Sequence, residues 1–208
     1  WSSDLGSERE EYGRTEPFAN FDHDYFHTAV DIDYAFSDAM TLRLGLRQYR
    51  TLFDTRPARE LNGDLLDTNP AQQYTHLGVQ LGVTRRLGAA VGLEAYYLRL
   101  ERTDEFVGYY DYIQDVLRVT AAFRPTQRFA IDLAAVARSY DYPRAFAFHV
   151  AAGGPRELEE LELSLEAEFR VTRRLTLWAQ LDSHDVSSTD ARAEYLRTQT
   201  MLGVEWRK

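Results

Sequence analysis

The sequence predicts an all-β chain folded as an antiparallel up-and-down transmembrane β-barrel. Three observations predict it. Apolar and polar residues alternate with period two through nine segments. Most of these reach roughly 10–14 residues before a turn signal, against the five or six usual in a soluble sheet. The connections alternate between tight turns and long polar loops.

Residues 158–170 set the argument. From Leu161 onward one face carries Leu161, Leu163, Leu165, Ala167 and Phe169, and the other Glu162, Ser164, Glu166, Glu168 and Arg170. A strand sends successive side chains to opposite faces, so this segment has one apolar and one charged face. A helix of period 3.6 would scatter those charges all round. Leu, Glu and Ala favour helices by propensity, and the period outranks propensity here.

The other segments follow in chain order. Phe26, Thr28, Val30, Ile32, Tyr34 and Phe36 oppose His27, Ala29, Asp31 and Asp33. Leu42, Leu44 and Leu46 oppose Arg43, Gly45 and Arg47. Leu77, Val79, Leu81 and Val83 oppose His76, Gly78, Gln80 and Gly82. Val91, Leu93, Ala95 and Tyr97 oppose Gly92, Glu94 and Tyr96. Leu117, Val119, Ala121 and Phe123 oppose Arg118, Thr120 and Ala122. Phe129, Ile131 and Leu133 oppose Asp132, Ala134 and Val136. Leu175, Leu177, Ala179 and Leu181 oppose Thr176, Trp178, Gln180 and Asp182. Leu196, Thr198, Thr200, Leu202, Val204 and Trp206 oppose Arg197, Gln199, Gly203 and Glu205.

Short connections follow Phe36, Thr84, Phe123 and Arg170, and longer ones run over about 54–71, 102–109, 143–155 and 183–193. A membrane-crossing β-strand needs about 9–11 residues, apolar toward lipid and polar toward the lumen. Tyr109, Tyr110, Tyr112, Tyr140, Tyr142, Tyr195 and Trp206 lie toward strand ends, where interfacial aromatic girdles are expected.

Composition removes several functions. The chain has 208 residues, 24 Lys+Arg against 33 Asp+Glu, a net charge of −9 and no cysteine. Disulfides, thiolate metal sites, cysteine nucleophiles and covalent c-type haem are therefore excluded. An acidic chain with no basic run predicts no nucleic-acid partner. No apolar run approaches the roughly 20 residues of a membrane helix.

The repeated pattern over about residues 22–206 resembles the Gram-negative outer-membrane β-barrel proteins, and the C-terminal end carries the closest likeness. In that family the last strand is amphipathic, ends on or near an aromatic and is read by the barrel-assembly machinery. Residues 195–206 fit, with Leu202, Val204 and Trp206 as the assembly signal the resemblance implies, although Arg207 and Lys208 follow the aromatic. The resemblance further implies short turns in the periplasm, long loops outside the cell, and lipid of the outer membrane as a partner.

Parity adds an expectation. Bacterial single-chain barrels have even strand numbers, so nine does not close. Either residues 1–21, which lack sustained alternation and read as a polar loop, hide a tenth strand, or residues 22–208 are the C-terminal part of a larger barrel. The reading favours the second, with the missing strands upstream, cleaved or carried by another chain.

The inward charges are the candidate functional residues: Asp31, Asp33, Glu94, Asp132, Glu162, Glu166, Glu168, Asp182 and Glu205 of one sign, and Arg43, Arg47, Arg118, Arg138 and Arg197 of the other. Fixed charges on a low-dielectric wall focus the field on passing solutes. The opposing reading is a ladder of ion pairs filling a narrow interior, and width decides between them. His23 and His27 share a strand face about 13 Å apart, too far for one metal ion. His76, His149 and His184 read as isolated. No metal, cofactor or catalytic residue is expected. The expected function is a conduit for a polar substrate, a porin or an export or uptake channel, and not an enzyme. The alternative is a structural barrel with filled interior, a sheath or scaffold in a membrane complex that binds a periplasmic or surface partner.

Overall fold

Ten antiparallel strands follow one another in space in chain order, each bonded to the next. The computed structural model describes residues 2–10, 23–149 and 153–206. The strands are β1 (Ser2–Glu10), β2 (His23–Ser37), β3 (Met40–Pro57), β4 (Ala71–Leu87), β5 (Val91–Asp104), β6 (Tyr112–Thr126), β7 (Phe129–Phe146), β8 (Pro155–Arg170), β9 (Leu175–Ser188) and β10 (Tyr195–Trp206). The nine expected strands are β2 to β10. The tenth, β1, lies where a polar segment was expected, and residues 11–21 of that segment are outside the described ones. Its pairing with β2 runs from Ser2↔Asp31 to Glu10↔His23. A segment without apolar alternation joins the sheet through backbone hydrogen bonds, which need no particular side chain.

Register settles which face each residue takes. The pairs Asp33↔Arg43, Arg43↔Gly82 and Gly82↔Tyr96 keep one parity on one face across β2 to β5. The pairs Tyr96↔Arg118, Arg118↔Val136, Val136↔Glu162, Glu162↔His184 and His184↔Arg197 carry that face on to β10. The opposite parity forms the apolar belt. Leu44, Leu77, Leu81, Leu117, Leu133, Leu163 and Leu177 are all exposed there, Leu77 to 62%. A water-soluble protein does not leave so continuous an apolar surface bare, whereas lipid wets it at no cost. Among the described residues no helix is long and apolar enough to cross a membrane.

Tight turns close one end: two residues between β2 and β3, three between β4 and β5, two between β6 and β7, and four between β8 and β9. Gly88, in the β4–β5 turn, has φ +68°, a left-handed conformation that glycine adopts without steric cost. The longer loops, over 58–70, 105–111, 147–154 and 189–194, gather at the other end. Along β10, the Trp178 indole of β9 lies against Gly203, where an added Cβ would clash with the ring atoms. The glycine is there because the neighbouring aromatic takes its space.

The aromatic girdle corrects one expectation. Tyr109, Tyr110, Tyr112 and Tyr142 are buried, not presented to an interface. Tyr112, Tyr140 and Tyr142 have the parity of the charged face and turn inward. Several outward aromatics sit instead toward the tight-turn end, as Tyr34, Phe36, Phe123, Phe169 and Trp206, while Phe26 lies at the other end and Tyr97 midway. Nearness to a strand end set the expectation, and parity overrules it.

Candidate functional site

All fourteen lumen candidates share the charged face of the sheet, and strand pairing joins many of them. Arg43 Nε donates to Asp33 Oδ1 at 2.7 Å across β2 and β3. One step toward the long loops, Arg47 Nη2 reaches Asp31 at 2.7 Å and the Gln80 amide oxygen at 3.2 Å. Gly45 lies between these groups, and an added Cβ would press on the Asp31 carboxylate. On the far side of the sheet, Arg138 of β7 bridges Glu160 at 3.1 Å and Glu162 at 2.6 Å. Asp132 takes both Nη1 and Nη2 of Arg124 at 2.9 and 2.8 Å. Asp182 accepts from the Gln180 amide at 2.7 Å, and Arg197 donates to Gln199 at 2.6 Å. Glu94, Glu166 and Arg118 line an inner cavity with Asp132. Glu168 stands beside Trp178 in register, and Glu205 beside Thr176.

Arg124 and Glu160 escaped the sequence reading although both have the inner parity, because they fell outside the segments used to read alternation. His184 was read as isolated. It hydrogen-bonds through Nδ1 to the Tyr195 hydroxyl at 2.9 Å and lies 3.7 Å from Glu162. Glu160, Glu162 and His184 are close enough to share an ion, but Arg138 already occupies both carboxylates.

The largest group missed is aromatic. Toward the long loops, one cross-strand row of the inner face reads His27↔Tyr49, Tyr49↔His76, His76↔Arg102 and Arg102↔Tyr112. Tyr142↔Arg156 continues it beyond β6. The Arg102 guanidinium lies 4.0 Å from the Tyr112 ring centroid and 4.3 Å from that of Tyr74. Its Nε donates to the Tyr110 carbonyl at 2.9 Å. The β5–β6 loop folds over this group, with Tyr109 packed against Tyr110 and Phe146. The Asp104 carboxylate holds the loop by accepting from Phe106 N and Tyr110 N. Phe146 therefore packs at the rim, and Phe148 lies under the Arg192 guanidinium, 4.8 Å away. His23 stacks near Phe53, with centroids 5.1 Å apart.

No protein-family model matches the chain, and a search of curated proteins also returns no match. Solved structures do match in fold. The chain is similar to the outer-membrane expressed OmpT of Vibrio cholerae, at 12% identity and TM-score 0.53, over 91% of this chain and 58% of that one. It is also similar to a loop L8 deletion mutant of OmpT, an outer-membrane protein of Vibrio cholerae. There the identity is 11% and the TM-score 0.55, over 98% of this chain and 62% of that one. The chain thus spans about three fifths of the length of the structures it matches.

The expectation that the chain is no enzyme does not stand. At 11–12% identity the OmpT structures show a shared fold and leave activity open. The argument against catalysis used distances along single strands. Pairing between strands places the Glu162 carboxylate beside the His184 imidazole, which the sequence reading took as isolated. With its outward apolar belt, its tight turns at one end and its long loops at the other, the chain has the fold of an outer-membrane β-barrel, shared with those structures.

Proposed function

We propose that the chain forms part of the wall of an aqueous conduit for polar solutes. One observation carries the reading: the inner face combines ion pairs with arginines, Arg118 and Arg197, that form no ion pair among the described residues. A face meant only to fill a narrow interior would neutralise such groups, since an unpaired charge away from water is costly. A hydrated lumen leaves them solvated.

Width supports the same reading. Among the described residues no ladder joins β1 to β10. Ten strands cover 62% of the length of a matched barrel, which in proportion corresponds to about sixteen strands, the size that leaves a water-filled channel. Further strands between β10 and β1 would close such a barrel. Leu202, Val204 and Trp206, outward on β10 and 63–79% exposed, fit the part of the assembly signal.

The second reading is a scaffold with a filled interior, and the packed tyrosines around Arg102 favour it. Single-channel recording in planar bilayers separates the two. Stable unitary currents are the expected result. Intact, inserted barrels that carry no current would overturn the conduit.

A further inference from the structure

The two ends of the sheet differ in charge. Arg85, Arg86, Arg128, Arg170, Arg173 and Arg174 lie in the tight turns or within three residues of them, and all are exposed. None of them forms an ion pair among the described residues. A further arginine, Arg124, is bridged to Asp132. The acidic residues within the same reach of the turns are Asp38 and Glu168, with Glu205 near the end of β10. Glu168 lines an inner cavity together with Arg124, Arg128 and Arg170, so arginine is in excess there too. The long loops carry the opposite balance. Over 58–70, Glu60, Asp64 and Asp67 stand against Arg59, and over 105–111, Glu105 and Asp111 stand against no arginine.

The sheet holds these arginines at the level of a lipid interface. Outward Phe36, Phe123, Phe169 and Trp206 are exposed at the same end, where aromatic girdles mark the boundary of the hydrocarbon. The turns are two to four residues long, too short to carry a side chain clear of a headgroup layer about 5–8 Å deep. Arg85 has outward parity and stands in register with Met40 and Leu93, at the rim of the apolar belt. Arg128 lies in the β6–β7 turn, and Arg173 and Arg174 lie in the β8–β9 turn.

We infer that the tight-turn end is a docking surface for anionic phospholipid, each arginine taking the phosphate of a separate headgroup. The inference rests on the chain crossing a bilayer and does not depend on whether its lumen conducts. A guanidinium offers a fork of donors that matches two phosphate oxygens. A basic residue near an anionic membrane surface gains about fivefold in affinity, the equivalent of about 1 kcal/mol. Arginines on separate strands therefore add their effects without converging on one ligand. An acidic soluble protein would meet the same charge, but it would have to dock inside the headgroup layer beside exposed aromatics. Lipid is already there.

The test folds the full chain into vesicles of phosphatidylcholine and, separately, of phosphatidylcholine mixed with phosphatidylglycerol, and measures stability by urea unfolding. The variant combines Arg128→Gln, Arg173→Gln and Arg174→Gln. At Arg128 and Arg174 the turn bonds run through backbone atoms, which these changes leave in place. At low salt the folded-to-unfolded ratio should fall at least about fivefold more in the anionic vesicles than in the neutral ones. The difference should shrink as salt rises, and lysine at the same three positions should keep most of the parent's stability in anionic lipid. Equal losses in the two lipids overturn the docking surface and leave an acidic soluble protein as the partner the charge fits. A difference that salt leaves unchanged overturns it as well. If the triple variant fails to fold, Arg173→Gln alone must show the excess loss in anionic vesicles, or the inference falls. Parent protein that inserts into neither vesicle overturns the membrane crossing and the docking surface together. Single-channel currents with equal losses leave the conduit standing alone, and excess anionic loss without current does the reverse.

Discussion

Arg138 on β7 ties together two carboxylates of the neighbouring strand, Glu160 and Glu162, which stand two residues apart on β8. The guanidinium is about one quarter exposed, so the bridge is partly shielded from water. It fastens the β7–β8 ladder on the inner face and separates two groups of like charge.

Replacing Arg138 by alanine should cost about 1–2 kcal/mol, the scale of charge-assisted bonds discounted for partial exposure. Urea unfolding in lipid vesicles measures it. Removing both carboxylates in the same background should recover part of the loss, because no uncompensated charge then remains. A loss that the triple variant leaves unchanged would show that the bridge contributes only packing.

The belt makes a parity prediction. Leu163 and Ser164 are adjacent on β8 and face opposite ways. Leu163→Arg puts a cation against lipid and should cost about 2–4 kcal/mol near the bilayer midplane. Ser164→Arg enters the inner face beside existing carboxylates and should cost under about 1 kcal/mol. Equal losses for the two, measured by reversible folding into vesicles, would remove the assignment of faces.

Arg102 is held between the rings of Tyr74 and Tyr112 and bonds the Tyr110 carbonyl. Arg102→Met keeps much of the volume and removes the charge. The expected loss is about 1–2 kcal/mol from the cation–π contacts. Backbone hydrogen exchange over 105–111 should accelerate, while the belt region of β8 keeps its protection. An unaltered loop would mean that the tyrosines pack without help from the cation.

Loop 189–194 is fastened to loop 147–154 by Asp190. Its carboxylate accepts from Arg192 Nε and Nη2 at 2.8 and 2.6 Å and from Phe148 N at 3.2 Å. The Arg192 guanidinium, helped by these backbone donors, holds the carboxyl well below the usual carboxylate range despite its burial. A depressed pKa means the charged form carries the stability. The fastening is therefore fully present above the unfolded value of about 3.9 and fades only as pH falls through the lowered folded value. Protection of the Phe148 amide, corrected for intrinsic exchange, should stay level from pH 8 to 5 and drop in strong acid. Asp190→Asn should speed proteolysis of the loop about fivefold at neutral pH, the equivalent of about 1 kcal/mol. A fastening that weakens between pH 8 and 5 would point to another titrating group.

By itself the amino-acid sequence determined the strands, the turns and the two faces, because a period of two survives wherever one side meets lipid and the other meets water. Leu163 and Glu162 take their faces from pattern alone, and even the inward tyrosines at 112, 140 and 142 were legible by parity. Tertiary structure decided what pairs with what. The bridge from Arg138 to Glu162 and the contact of His184 with Glu162 both depend on inter-strand register. Register is set by turn geometry and ladder hydrogen bonding between segments far apart in the chain, and alternation within one strand carries no trace of it. The strand Ser2–Glu10 was hidden for a related reason: its backbone bonds to β2 without an apolar pattern to announce it.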